Sequence, residues 1–246
     1  MNERNVDTIT HALFSPIAEV LATQKADALS STNHLHSSKE AQYIKEQTEE
    51  LTQDLQKEYT NFVGCMKKAS VVLQQELKHL PSKEQEHHQK EFNLAASKLN
   101  APQEDLELTL KEFATASSWQ QFLGFSDKTL LWVYQIARQC YEKKNLEESL
   151  SLFQFLININ TFVSDYWTAI GFVRRALHQT SEALDCFAMA ILLNQDNPIP
   201  RVQSAELYYE IGQFSDTVIE LEIAKNLIVK NKLDFPIHDI EDLLTK

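Results

Sequence analysis

The sequence predicts an all-α protein: a superhelix of three helical hairpins with a C-terminal capping helix, preceded by a long-helix N-terminal extension. Turn-forming residues are scarce, with four glycines and six prolines in 246 residues. Many short strands would need frequent tight turns, so long helices with short connections fit better. An apolar stripe at helical spacing runs from Ile44 to Leu80. Beyond Ser126 the chain repeats itself with a period of 34 residues.

The elements follow in order. Residues 1–37 read as a flexible segment, with Ser30-Ser31-Thr32-Asn33 and Ser37-Ser38 as linker composition. Residues 38–123 read as a helical extension. In its first helix Ile44, Leu51, Leu55, Tyr59, Phe62, Met66, Ala69, Leu73, Leu77 and Leu80 step by sevens, fours and threes, interrupted only by Gly64. A stripe of that length must be buried on another helix of the chain or on a second copy. Pro81 ends it, and Ser82 with Gln85 predicts a capping box for a helix to about Leu99. Pro102, followed by Glu104, Asp105 and Glu107, predicts a third helix to about Leu123, stopped by Gly124 and able to cover one end of the repeats. Ser126 or Asp127 caps the next helix, and residues 124–246 form the repeat domain.

In the repeats, Ala137, Gly171 and Ala205 occupy a small-residue position where two antiparallel helices approach closely. Twelve residues on stand Ser149, Ala183 and Thr217, again small; sixteen on stand Phe153, Phe187 and Leu221, all large and apolar. Lys144-Asn145, His178-Gln179 and Gly212-Gln213 align at the turns. Small against large at fixed offsets is what stacked hairpins need to interdigitate, and this pattern resembles the tetratricopeptide (TPR) repeat. The middle repeat carries Trp167, Gly171, Ala183, Phe187 and Ala190, whereas Arg201 replaces the aromatic residue in the third and Arg174 the usual tyrosine. Leu233, Phe235, Ile237, Ile240, Leu243 and Leu244 would supply the capping helix.

A narrower resemblance lies in LLWVYQIARQCYEKKNLEESLSLFQFL, in SDYWTAIGFVRRALHQTSEALDCFAMAILLN with its G-x-x-R segment, in the Pro200-Arg201 pair, and in AELYYEIGQFSDTVIELEIAKNLI. Over about residues 119–246 these stretches resemble the SycD/LcrH group of type III secretion chaperones. The resemblance implies a bacterial cytoplasmic protein that holds an extended segment of a hydrophobic secreted translocator or effector in its concave groove, soluble and ready for export. The first hundred residues lie outside it.

In a TPR superhelix the first helix of each repeat lines the inner surface. The residues not used for stacking are Leu131, Tyr134, Arg138 and Tyr141, then Thr168, Phe172 and Arg175, then Val202, Glu206 and Tyr209. Tyrosine suits such a groove, since its flat body excludes water and its hydroxyl can meet a peptide backbone. The positions that clamp a terminal carboxylate in heat-shock co-chaperones hold Tyr134, Arg138, Ala169, Ile199 and Gln203 here, so that ligand class is excluded.

Other functions find little support. The formal net charge is −12 with no basic stripe, which disfavours nucleic acid and anionic membrane surfaces. No apolar run is long enough to span a membrane, and the first residues lack the pattern of a secretory signal. Cys65, Cys140 and Cys186 form neither a disulfide framework nor a metal motif, which points to a reducing compartment. His34-x-His36 and His87-His88 lack metal-ligand spacing and read as solvated, as does the acidic run Glu46, Glu49, Glu50 and Asp54. No cofactor, metal or catalytic motif is expected, so the protein is not an enzyme. The N-terminal helices would also suit a homodimer; the alternative function is a TPR scaffold or adaptor that uses the long helix as its main contact surface.

Overall fold

The computed structural model describes residues 37–99 and 118–232. All nine elements among the described residues are helices: α1 Ser37–Leu77, α2 Ser82–Leu99, α3 Trp119–Leu123, α4 Asp127–Glu142, α5 Leu146–Ile159, α6 Ser164–Ala176, α7 Thr180–Leu193, α8 Ile199–Glu210 and α9 Phe214–Asn231. The segment before Ser37, the start of the third helix at Pro102 and the capping helix over 233–244 lie outside the described residues.

Two compact units divide the chain. One takes residues 1–67 and 96–116, the other residues 68–95 and 117–246, so the division falls inside α1. In the first unit, α1 carries its acidic face in solvent: Glu46, Glu49, Glu50 and Asp54 are exposed, as expected. The helix is 41 residues long and passes through Gly64 unbroken.

The second unit holds the hairpin stack. α4–α5, α6–α7 and α8–α9 form the three repeats, and the same backbone device closes each one. Lys144, His178 and Gly212, at equivalent positions, have φ values of 65°, 59° and 79°. The next amide then reaches back to the first helix: Asn145 to the Cys140 carbonyl at 2.9 Å, Gln179 to Arg174 at 3.0 Å and Gln213 to Tyr208 at 2.8 Å. A left-handed residue followed by such a bond is a C-terminal helix stop, repeated here at the sequence period.

Side-chain packing follows the small-to-large rule. Ala137, Ala183 and Ala205 are fully buried, as are Phe187 and Leu221. The Ser149 hydroxyl donates to the Ala137 carbonyl at 2.9 Å, which satisfies a polar group at the closest approach of α4 and α5. Val202, Ala205, Leu221, Ala224 and Ile228 make the core of the third repeat.

The N-terminal end of the stack is covered by α2, and the last turns of α1 are buried within the same unit. Ala69, Leu73 and Leu77 of α1 and Ala95 of α2 are buried. Phe92 meets Phe125 edge-on at 5.2 Å, and Phe125 meets Phe155 at 5.7 Å. The stripe read from sequence therefore finds at least its last turns buried within the chain. Three local expectations need correction. α1 ends at Leu77, and the chain tightens through Leu80, whose amide bonds to the Leu77 carbonyl at 3.2 Å. The Pro81 carbonyl, not the Ser82 side chain, accepts the first amides of α2, from Glu84 and Gln85, so no capping box forms. The helix expected to run to about Leu123 does not pass through Ser118, which is extended (φ −161°) and caps the short α3 through its hydroxyl. Gly124 stops α3 in the left-handed region as expected, and Ser126 caps α4.

Candidate functional site

The first helices of the repeats, α4, α6 and α8, adjoin one another through side chains. Between α4 and α6 the tie is aromatic: the rings of Tyr134 and Tyr166 lie 5.9 Å apart at 33°. Tyr134 also stands edge-on to Phe153 at 5.6 Å. Between α6 and α8 the tie is ionic. Arg175 donates through Nη1 to Glu206 and, at 2.7 Å, to Gln203, and through Nη2 to Glu210 at 2.6 Å. The Arg175 side chain is 27% exposed, so these charges meet in a partly dehydrated setting. Burial alone would depress the Arg175 pKa, but the two carboxylates outweigh it and raise the pKa above its ordinary value.

The ten residues expected in the groove divide accordingly. Leu131 is 57% exposed. Arg138 is exposed and pairs with Glu142 one turn on, at 3.4 Å. Tyr141 is half-buried with the Lys144 ammonium 5.8 Å from its ring centre. Phe172 lies half-buried, edge-on to Phe187 at 5.8 Å. Glu206 belongs to the Arg175 network, and Tyr209 is exposed against Phe214 at 5.7 Å. Thr168 and Val202 are corrections. Thr168 is 7% exposed, and its hydroxyl turns back to the Ser164 carbonyl at 3.1 Å. Val202, at the equivalent position one repeat later, is 6% exposed inside the third-repeat core. Both positions are used for stacking and present no free surface.

The residues missed by sequence reading are Tyr166, Asp165, Gln203 and Glu210. Gln203 and Glu210 sit three residues before and four after Glu206, on the same helical face. That spacing is a signal the sequence held. Burial pushes the Tyr166 hydroxyl up to about 12, and the charges of Asp127 and Asp165 add to it. Tyr134 is raised as well, by burial and then by Asp165. Both tyrosines are therefore neutral hydrogen-bond donors at physiological pH.

A second polar cluster joins α2 to the start of α4, where solvated histidines were expected. His88 is 1% exposed, stacks on Trp132 at 4.6 Å and 10°, and its Nδ1 lies 2.8 Å from the Thr129 hydroxyl. The Ser126 amide donates to Glu91 Oε2 at 3.0 Å, and His87 Nε2 lies 3.4 Å from Glu91 Oε1. Burial lowers the His88 pKa, and the neighbouring His87 and Lys128 charges lower it further. For Glu91, burial raises the pKa, but hydrogen bonds from Thr129 and Ser126 and the His87 charge hold it below the ordinary carboxylate value. Thr129 has one proton to give. If it serves Glu91, His88 donates Nδ1–H to the Thr129 oxygen, and every member is satisfied.

No group of three or more metal-ligating side chains occurs among the described residues. Cys140 and Cys186 are free thiols that burial pushes up to about 11, which makes them unreactive core residues. No helix among the described residues is long and apolar enough to cross a membrane.

No family model and no curated protein matches the chain. Among solved structures the chain is similar to SycD, the type III secretion translocator chaperone of Yersinia enterocolitica, at 19% identity and a TM-score of 0.49, over 53% of this chain and 98% of that one. It is similar to PcrH from Pseudomonas aeruginosa at 18% identity and a TM-score of 0.45, over 49% of this chain and 92% of that one. PcrH in complex with the chaperone binding region of PopB is likewise similar, at 18% identity and a TM-score of 0.45, over 49% and 98% of the two chains.

Proposed function

We propose that the protein is a binding protein, not a catalyst, and that it holds an extended apolar segment of a client against the joined face of α4, α6 and α8. The observation that supports this reading is the Tyr134–Tyr166 ring contact between α4 and α6, on helices that also leave Leu131 exposed and Tyr134, Tyr141 and Phe172 only half-buried. Stacked hairpins curve so that their first helices line a concave surface, and half-buried aromatic rings there offer apolar area with little conformational entropy to lose. Strands and grooves that bind extended chains take alternate side chains into such depressions. The client class, a hydrophobic secreted translocator or effector kept soluble in the bacterial cytoplasm, follows the sequence resemblance in the repeats. No paired acid and base or activated nucleophile stands on this face among the described residues.

Binding of a fluorescent, end-blocked apolar peptide to the full-length protein tests the reading. Tyr134→Ala and Phe172→Ala should each weaken binding by about tenfold, the usual scale for an aromatic anchor. Leu131→Asp changes only an exposed side chain, so it separates lost binding from lost folding. Unchanged affinity in all three variants would refute the groove.

A further inference from the structure

α2 closes over the start of α4 through polar groups. The His88 ring is buried and stacked on Trp132 at 4.6 Å and 10°, with Nδ1 2.8 Å from the Thr129 hydroxyl. Three residues on, Glu91 accepts the Ser126 amide at 3.0 Å. His87 Nε2 lies 3.4 Å from both Glu91 Oε1 and the Ser126 hydroxyl, and Glu84 pairs with Lys128 at 3.7 Å. Phe92 adds its ring against Phe125 and Phe155, both buried. By contrast, the core clusters around Phe187 and Leu221 in the second and third repeats are wholly apolar.

Such a junction holds while His88 is neutral. With Nδ1–H donated to Thr129, its Nε2 has no hydrogen-bond partner among the described residues. A proton on Nε2 would put a full charge in a ring that water scarcely reaches, and a buried charge is costly unless it is paired. The groups that face the ring offer no such pair. His87 stands edge-on at 5.2 Å, and Lys128 is a cation. Glu91 already serves the Ser126 amide and His87, and Glu84 serves Lys128. The Trp132 face attracts a cation, but less strongly than lost water opposes it. Released from α4, His88 would be hydrated and would bind a proton at its ordinary value of about 6.5. Burial, then the His87 and Lys128 charges, lower that value in the closed state, so acid favours the open one. Glu91 stays ionised to below 4.5 and takes no part above it. We infer that α2 is a proton-operated latch: uptake of a proton by His88 lifts α2 from α4 and uncovers Phe125 and Phe155, while the second and third repeats stay folded.

Hydrogen exchange of the full-length protein, read by mass spectrometry and corrected for the intrinsic rate at each pH, tests the latch at about pH 7.5 and about pH 5. Amides of α2 and of residues 125–130 should exchange about tenfold faster at the lower pH, the scale of a tenfold difference in proton affinity between closed and open forms. Amides of α7 and α9 should not change. His88→Phe keeps an aromatic ring on Trp132 and cannot titrate, so its α2 should be equally protected at both pH values. His88→Gln checks the same point with a side chain that can still bond to Thr129. His88→Lys, which favours the hydrated and charged form, should be open already at the higher pH. Native α2 equally protected at both pH values, or a closed His88→Lys, would overturn the latch. So would acid opening that persists in both His88→Phe and His88→Gln. Exchange that rises equally in α7 and α9 would show global unfolding and overturn it as well.

Discussion

Gly171 of α6 lies flat against the ring of Phe187 of α7: a β-carbon at 171 would stand 2.7 Å from Phe187 Cδ1 and 2.9 Å from Cζ. The ring is fully buried, so it has nowhere to retreat. This contact sets how closely the two helices of the middle repeat approach.

Gly171→Ala should destabilise the protein even though alanine is the better helix former. Overpacking of a rigid core costs about 1–3 kcal/mol, against about 1 kcal/mol gained in helix propensity. Urea denaturation should show a net loss of about 1 kcal/mol. A stabilised variant would mean that Phe187 repacks freely.

His178→Gly should act in the opposite direction. His178 is exposed and adopts a left-handed conformation that only glycine takes without strain. Relief of that strain, less the entropy glycine adds to the unfolded chain, should stabilise by about 0.5 kcal/mol. The third repeat already has Gly212 at this place. Thermal melts of the single variant would show the shift.

Stability should fall on acidification through the α2–α4 junction. Folded His88 has a pKa below its unfolded value of about 6.5. Between those two values the unfolded chain binds more protons, so stability is full above about pH 6.5 and drops as pH falls toward the folded value. Glu91 adds a second loss at lower pH: its folded pKa lies below 4.5, so its contribution disappears as pH falls through that value. Denaturation midpoints between about pH 7 and pH 5 should therefore decline in the native protein, and His88→Gln should flatten that decline. An unchanged slope in His88→Gln would place the titrating group elsewhere.

The ion pair of Arg201 and Glu220 should prove replaceable. It is short, at 2.8 Å, with side chains 15% and 21% exposed, and Arg201 Nε is buried without a hydrogen-bond partner. Removing one partner strands the other: Glu220→Leu should cost about 2 kcal/mol or more. The double variant Arg201→Met with Glu220→Leu should recover most of that loss in the same urea titration, because apolar groups of similar volume pack without desolvation cost.

The repeats were legible in the sequence because their packing is periodic. Ala137, Gly171 and Ala205 face Phe153, Phe187 and Leu221 at one fixed offset, and three copies of a spacing outweigh any one deviant residue. The groove was legible only in part for the same reason. Thr168 and Val202 hold positions that face inward in an idealised repeat, yet here they pack into the stack. The Arg175 network crosses between repeats, and no single repeat contains it. The junction of α2 with α4 was not legible at all. It joins His88, Phe92, Thr129, Trp132 and Phe155, residues far apart in sequence with no common period, and a histidine pair on a polar helix gives no outward sign of burial.

The cover on the first repeat also lies upstream of it in the chain. His88 and Phe92 leave the ribosome before Thr129, Trp132 and Phe155 do, so the surface they protect never has to wait for its partner. A stack covered in this order can grow outward from a finished edge, one hairpin at a time, while synthesis continues.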